Sequence, residues 1–128
     1  MGLTTLAIYI ANPGNSRKRR RVECLVDSGA VFSLIDGKKL RELGIRPNRE
    51  EEFFFANGER VVRKIGNALF FFQGRESASP VIFGEAGDSN LLGSVTLESL
   101  QFVLDPFRRE LRPLKMMLAG MNRCGEVM

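Results

Sequence analysis

The sequence contains no histidine, only two cysteines and no long run of apolar residues. The absence of histidine excludes Ser-His-Asp and Cys-His nucleophilic schemes, together with every metal site that uses an imidazole ligand. The cysteines, Cys24 and Cys124, lie far apart and form no CxxC pair, so the sequence predicts neither a zinc ribbon nor a redox centre. We therefore expect no metal, no cofactor, and a reducing, cytoplasmic location.

Membrane and targeting signals are also missing from the sequence. The longest apolar runs, such as Ala68 to Phe72, are far shorter than the roughly 20 residues that a membrane-spanning helix needs. The segment from Met1 to Leu6 has no basic region followed by an apolar one, and Leu6 stands where a myristoylation signal requires Ser or Thr. The sequence thus predicts neither a membrane partner nor a targeting segment.

Length and apolar content indicate one small domain, and the net charge has a local origin. A chain of 128 residues with 44% apolar residues can fill one modest core, so we expect a single domain over residues 1–128. The net charge of +4 comes largely from the run Arg17 to Arg21. A nucleic-acid patch is one interpretation of this run, but it has no interleaved aromatic residues, which favours a solvated strand end beside a turn. Nucleic acid is not an expected partner.

The first part of the chain reads as two strands joined by a turn. Residues from Leu3 to Ala11 are rich in β-branched and aromatic side chains, and the turn formers Asn12 to Asn15 follow. Apolar residues then alternate from Val22 to Asp27, which predicts a strand with Cys24 in the core and Asp27 at its end. After residues 31–35, Asp36 is placed to cap a short helix that ends at Gly44.

A projecting hairpin is predicted over residues 53–62. Phe53 to Phe55 and Val61 to Val62 flank Ala56 to Glu59, and Asn-Gly between β-formers is a strong hairpin signal. The phenylalanines at 53–55 and 70–72 cannot all face one core, so we expect some to line a cleft or an interface.

The rest of the chain predicts two strands, a helix and a closing hairpin. The chain is therefore expected to be all-β, with one or two short helices. In order, these elements are the strands Ile65 to Gln73 and Pro80 to Phe83, separated by the polar stretch Gly74 to Ser79; a helix from Ser94, as its cap, to Leu100; and a hairpin of Gln101 to Leu104 with Glu110 to Met117.

The segment Leu25 to Ala30 is the candidate site. An apolar strand ends there in an acid, Asp27, followed by a hydroxyl residue and a glycine. The strand holds the carboxylate, Gly29 allows close approach of a partner or substrate backbone, and the Ser28 hydroxyl can support the loop by a hydrogen bond. Taken alone, Asp-Ser-Gly is more often a simple turn.

This segment resembles the Asp-Thr/Ser-Gly-Ala signature of retropepsin-like (clan AA) aspartic peptidases, which include retroviral proteases and bacterial single-lobe enzymes. Asn90 to Gly93 is similar to the second apolar-apolar-Gly element of that family, and it likewise precedes a helix. The order of parts from Leu3 to Leu114 resembles the family plan. The resemblance implies a retropepsin-like acid-protease barrel of the bacterial single-lobe type.

The resemblance implies that the protein is an aspartic endopeptidase that acts on protein or peptide substrates. Two aspartates share one proton in that family, one activating water while the other donates to the scissile carbonyl. This chain has one such motif, so the resemblance implies an obligate homodimer with the site on its twofold axis. The implied residues are Asp27 as the catalytic residue, Ser28, Gly29 and Ala30 in the active-site loop, and Phe55, Ala56, Asn57, Gly58 and Glu59 in a flap over substrate.

The sequence departs from the family in two places. Retroviral members usually pair an aspartate after the signature with an arginine after the second glycine, where this chain has Val31 and Ser94. Losing both charges together leaves no charge stranded. The N-terminal interface strand is also missing, so we expect the C-terminal hairpin, residues 101–117, to form the dimer interface. The other candidate acids, Asp36, Asp88 and Asp105, are interpreted as a helix cap, a loop residue and an Asp-Pro turn.

A second function class is compatible with the same residues. The chain could be a catalytically inactive retropepsin-like dimer that binds extended peptides, or a basic adaptor module in which Arg17 to Arg21 matters more. The presence of Asp27 in its motif favours the enzyme.

Overall fold

The computed structural model describes residues 4–54 and 57–114. Strands predominate, as expected for the all-β class. The elements are β1 (Thr5–Asn12), β2 (Asn15–Val26), β3 (Ser33–Asp36), α1 (Gly37–Glu42), β4 (Arg49–Phe54), β5 (Arg60–Phe72), β6 (Arg75–Gly84), β7 (Leu91–Leu92), α2 (Ser94–Leu100), β8 (Phe102–Asp105) and β9 (Glu110–Pro113).

The main sheet curls round until its first strand meets its fifth. Its strand order is β1-β2-β7-β3-β6-β5-β4, and an additional β1–β5 pairing, in which Ile10 lies opposite Phe70, closes six of these strands into a barrel. Strand β4 lies outside this ring, paired with β5 alone among the described residues. Closure leaves few free strand edges and encloses a core.

The barrel interior is filled by alternate residues of the strands, as period-2 patterning requires. Ile8, Ile10 and Phe70 are fully buried, and so is Cys24, the core cysteine predicted from its strand. Cys24 is a free thiol, and burial raises its pKa to about 12 against a weaker lowering effect of Lys39. This thiol is a packing residue.

Strand β2 begins at Asn15, earlier than predicted, and therefore includes the basic run. Residues 17–21 are all exposed and follow the β1–β2 turn, so the interpretation of this run as a solvated strand end beside a turn is confirmed. Arg19 stacks over the ring of Phe71, 3.8 Å from its centroid, and the side chain of Arg20 pairs with Glu42. These contacts explain how a highly charged segment is accommodated in a strand.

The connection between β5 and β6 differs from the predicted polar loop over Gly74 to Ser79. Only Gln73 and Gly74 form the turn, both with positive φ (48° and 80°), as a tight two-residue hairpin requires. Strand β6 starts at Arg75, and from there exposed side chains alternate with less exposed ones, as in a strand with one face towards a core. Ser79 is one of the buried residues. The prediction was wrong because it assigned these polar residues to a loop, although they belong to a strand.

The two helices confirm one predicted cap and correct the other. Asp36 caps α1 by accepting a hydrogen bond from the Lys38 N–H, and Gly44 follows the helix at φ 79°. The N-cap of α2 is Gly93, with no side-chain hydrogen bond, so the prediction that Ser94 caps this helix was wrong. The Ser94 amide instead binds a neighbouring loop, as described below. Neither helix is long or apolar enough to cross a membrane.

The predicted closing hairpin is present within the described residues. Strands β8 and β9 pair with each other in a separate two-stranded sheet; residues 115–117 of the predicted hairpin lie outside the described part. Phe102 is buried and meets the ring of Phe72 edge-on, with centroids 5.2 Å apart. The hairpin is thus packed on the barrel through one face, while Val103 and Phe107 remain exposed.

Candidate active site

Asp27 lies directly after β2, where the short strand β7 is inserted between β2 and β3. Leu91 and Leu92 of β7 pair in parallel with Leu25 and Val26 of β2, and Leu91 also pairs with β3. The Asp27 N–H donates to the Leu92 carbonyl at 3.0 Å. The backbone that carries the acid is therefore held within the sheet by the segment Asn90 to Gly93.

The loop after Asp27 folds back onto the carboxylate. Its Oδ1 accepts a hydrogen bond from the Gly29 N–H at 3.0 Å, and its carbonyl accepts one from the Ala30 N–H at 3.1 Å. The side chain of Asp27 is half-buried, whereas Ser28 is exposed and its hydroxyl makes no hydrogen bond within the described residues. The turn fixes the acid and presents it at the surface.

Gly93 packs tightly against the far side of the same loop. A Cβ atom there would lie 2.6 Å from the Phe32 carbonyl carbon and 3.0 Å from the Ala30 oxygen, so only glycine fits. The next two amides, of Ser94 and Val95, donate to the carbonyls of Ala30 and Val31 at 2.8 and 3.0 Å. Backbone hydrogen bonds thus join the segment that contains Val31 to the segment that contains Ser94.

An apolar groove of about 480 Å³ opens beside the loop. One wall is the loop itself, from Gly29 to Phe32, and the other is the β4–β5 hairpin with Phe53, Phe54 and Val61. Phe54 is 66% exposed in the single chain. The expectation that some phenylalanines line a cleft is confirmed for the described members of the 53–55 triplet.

The β4–β5 hairpin extends to the predicted Asn-Gly turn. Gly58 has φ 86°, and the Asn57 side-chain oxygen accepts a hydrogen bond from the Glu59 N–H at 2.9 Å. Phe55 and Ala56, which were assigned to the flap, lie outside the described residues. Strand pairing brings Phe54 opposite Arg60, so the two strands are in register as far as this pair.

The overall fold has a counterpart among solved structures. The structure of EIAV protease in complex with the inhibitor HBY-793 matches 91% of this chain and 94% of its own, with a TM-score of 0.59 and 16% sequence identity. The chain has a retropepsin-like fold. At this identity the similarity shows the fold alone. No protein-family model and no curated protein matches the sequence, so the bacterial single-lobe assignment stays a prediction.

One ion pair in this retropepsin-like fold was not predicted. The Arg63 guanidinium on β5 donates to both oxygens of Asp88, at 3.0 and 3.4 Å, and lies 3.7 Å from Glu85. Burial raises the pKa of Asp88, but the hydrogen bonds from Arg63 and from the Glu85 N–H outweigh it, so this pKa lies below its usual value. Arg63 also borders the groove, so the pair joins the base of the hairpin to the loop before β7.

The other acids occupy structural positions in this retropepsin-like fold. Asp36 caps α1, and Asp105 accepts hydrogen bonds from the Phe107 and Arg108 amides in the β8–β9 turn. Both interpretations are confirmed. Over residues 4–54 and 57–114, no group of three or more Cys, Asp or Glu side chains is placed to hold a metal ion.

Proposed function

We propose that the chain is one half of a homodimeric aspartic endopeptidase in which the Asp27 carboxylates of two copies act together. The observation that carries this proposal is the way Asp27 is held. Its N–H, its carbonyl and its Oδ1 are all hydrogen-bonded, whereas its Oδ2 has no hydrogen bond within the described residues. An aspartate whose backbone and one carboxylate oxygen are held, while the other carboxylate oxygen is free, is suited to orient a water molecule.

A single Asp27 cannot perform the reaction, and a second copy supplies the partner. Two carboxylates about 3 Å apart share one proton because both cannot ionise together. The ionised one takes a proton from water, whose oxygen attacks the peptide carbonyl, while the protonated one donates to the carbonyl oxygen. Collapse of the tetrahedral adduct breaks the C–N bond, and the amine leaves with a proton returned by the pair. No cofactor takes part.

The groove and the hairpin supply binding. An extended peptide laid across the twofold axis places one side chain in the apolar groove of each copy, with Phe53 and Phe54 on one side and the acid loop on the other. The segment from Phe55 to Glu59 acts as the flap that covers the substrate. In this arrangement Ser28, Gly29 and Ala30 shape the floor of the site.

The C-terminal hairpin is the proposed dimer contact. Strand β8 is buried on the side of Phe102 and exposed on the side of Val103, which is 47% exposed, and Phe107 at the turn is 96% exposed. Apolar side chains on an outward face are typical of an interface.

The test is cleavage of a denatured protein mixture at mildly acidic and neutral pH, with and without a pepstatin-type inhibitor. The wild-type protein should cut, and Asp27→Asn should not, because an amide neither shares a proton nor acts as a base. Asp36→Asn is the matched control, since asparagine caps a helix as well as aspartate does. Equal cleavage by wild type and Asp27→Asn would contradict the proposal.

The alternative is a dimer that binds extended peptides without cutting them. Binding by the wild-type protein without cleavage at either pH would favour it. The basic adaptor has weaker support, since Arg19 and Arg20 already contact Phe71 and Glu42.

A further inference from the structure

Three buried hydroxyl groups connect β3, β6 and α2 behind the Asp27 loop. Ser33, Ser79 and Thr96 are each at most 2% exposed. The Ser33 and Thr96 oxygens lie 2.6 Å apart, the Thr96 and Ser79 oxygens 2.8 Å apart, and the Gly93 N–H donates to Ser33 Oγ at 2.9 Å. An apolar core would not retain three such groups unless they satisfied one another.

Each hydroxyl group has one hydrogen to donate, and this fixes which oxygen donates and which accepts in this series of hydrogen bonds. The Ser79 hydroxyl donates to the Pro80 carbonyl at 3.3 Å, so its oxygen must accept the hydrogen of Thr96. Thr96 in turn accepts from Ser33, and Ser33 accepts from Gly93. Each hydroxyl thereby donates once and accepts at least once. The hydrogen bonds therefore all point in the same direction, from the Gly93 amide to the Pro80 carbonyl.

The first donor of this chain belongs to the peptide group that holds the acid. The N–H of Gly93 and the carbonyl of Leu92 are the two ends of one planar peptide unit. Its N–H is bound by Ser33, and its carbonyl accepts the Asp27 N–H at 3.0 Å. The hydroxyl chain therefore fixes the plane of this peptide, and polarisation along the chain strengthens the bond to Asp27.

We propose that Ser33, supported by Thr96 and Ser79, is a positioning residue for Asp27, acting through the Leu92–Gly93 peptide group. The inference rests on the proposed function of the site. Two carboxylates that share a proton across a twofold axis depend on a separation of a few ångströms, and both move when this peptide rotates. A sub-ångström displacement is enough to lower the rate of such a site strongly.

The experiment measures kcat, KM and their pH dependence with a peptide substrate for the dimeric protein. Ser33→Ala should lower kcat about 10- to 100-fold with KM little changed. The alkaline limb of the kcat profile should move to lower pH, because carboxylates held less closely share their proton less tightly. Thr96→Val, which keeps the shape but removes the hydroxyl, should lower kcat in the same direction, and Thr96→Ser should restore it.

A second measurement keeps the proposal testable without activity. Amide hydrogen exchange at Asp27 should quicken in Ser33→Ala, while exchange at Ile10, which pairs with Arg20 and Phe70 away from the acid loop, stays at the wild-type rate. Unchanged Asp27 exchange in the folded variant would overturn the positioning role, and so would a Thr96→Ser protein as impaired as Thr96→Val. If the wild type does not cleave at all, the proposed function fails, and the exchange result alone decides the positioning role.

Discussion

The Arg63 guanidinium and the Asp88 carboxylate form a two-point contact, at 3.0 and 3.4 Å, with each side chain only 15% exposed. A pair this well shielded contributes more than a surface salt bridge. The pair therefore links one wall of the groove, the β4–β5 hairpin, to the loop that leads into β7.

Asp88→Asn should lower the free energy of unfolding at neutral pH by about 1–3 kcal/mol, because Arg63 loses a charged partner while remaining largely buried. The folded-state pKa of Asp88 lies below its unfolded value, so its contribution is present above about pH 4 and is lost as the pH falls through the folded pKa. Urea denaturation at neutral pH and near pH 3 measures both effects.

Glu98→Gln is the control for this prediction, since Glu98 is an exposed acid on α2 with no side-chain partner in the described part of the chain. It should leave the unfolding free energy unchanged at both pH values. A difference between wild type and Asp88→Asn that persists undiminished under acid would contradict the ion-pair explanation.

Gly58→Val should reduce kcat/KM about 10- to 100-fold. Open space surrounds Gly58, but its φ of 86° is strained for a β-branched residue by about 1–3 kcal/mol, which should hinder closure over substrate. Gly74→Val is the matched control, because Gly74 has φ 80° and open space in the β5–β6 turn, away from the groove. Equal losses of turnover in the two variants would show that the hairpin tip has no gating role.

Val103→Glu should weaken dimerisation at least about tenfold, because it places a charge on the outward face of β8 where a second copy is proposed to pack. Sedimentation velocity gives the dissociation constant, and circular dichroism checks the fold. Truncation after Leu100 is a poorer test, since it also removes Phe102 and Leu111 from the core of the same subunit. A Val103→Glu protein that dimerises like wild type would place the interface elsewhere.

Asp27→Asn should leave the dimer intact and make its affinity less dependent on pH. In the wild type, repulsion between the two carboxylates grows once both ionise, so the dimer should weaken from acidic to neutral pH. The neutral amide removes this repulsion, and its oxygen still accepts the Gly29 N–H. Analytical ultracentrifugation at the two pH values compares the variants, and identical pH dependence would argue against adjacent carboxylates.

Features whose determinants are neighbours in sequence were predicted well. Asp36, the helix it caps and Gly44 lie within one short segment, and the Asn-Gly turn needs only its flanking β-formers. Strand β6 was misjudged because its polar start is stabilised by pairing with β5 and by the distant residue Thr96, whose hydroxyl donates a hydrogen bond to Ser79 in the interior. Local polarity cannot distinguish such a strand from a loop.

The same reasoning applies to the candidate site. Asp27 was identified from a contiguous motif, and its partner segment, Asn90 to Gly93, from another. The Arg63–Asp88 pair and the Ser33–Thr96 bond join residues 25 and 63 positions apart, and no pattern in either neighbourhood points to the other. Only the folding of β3, β5 and α2 around the loop reveals these contacts.

The buried thiol on β2 offers a built-in kinetic probe. Cys24 lies three residues before Asp27, is fully buried and has its pKa raised to about 12, so a thiol reagent can modify it only when the strand separates from the barrel. In a Cys124→Ser background, the labelling rate of Cys24 reports how often this strand opens. The protein thus contains a natural probe for local unfolding of the strand that carries Asp27.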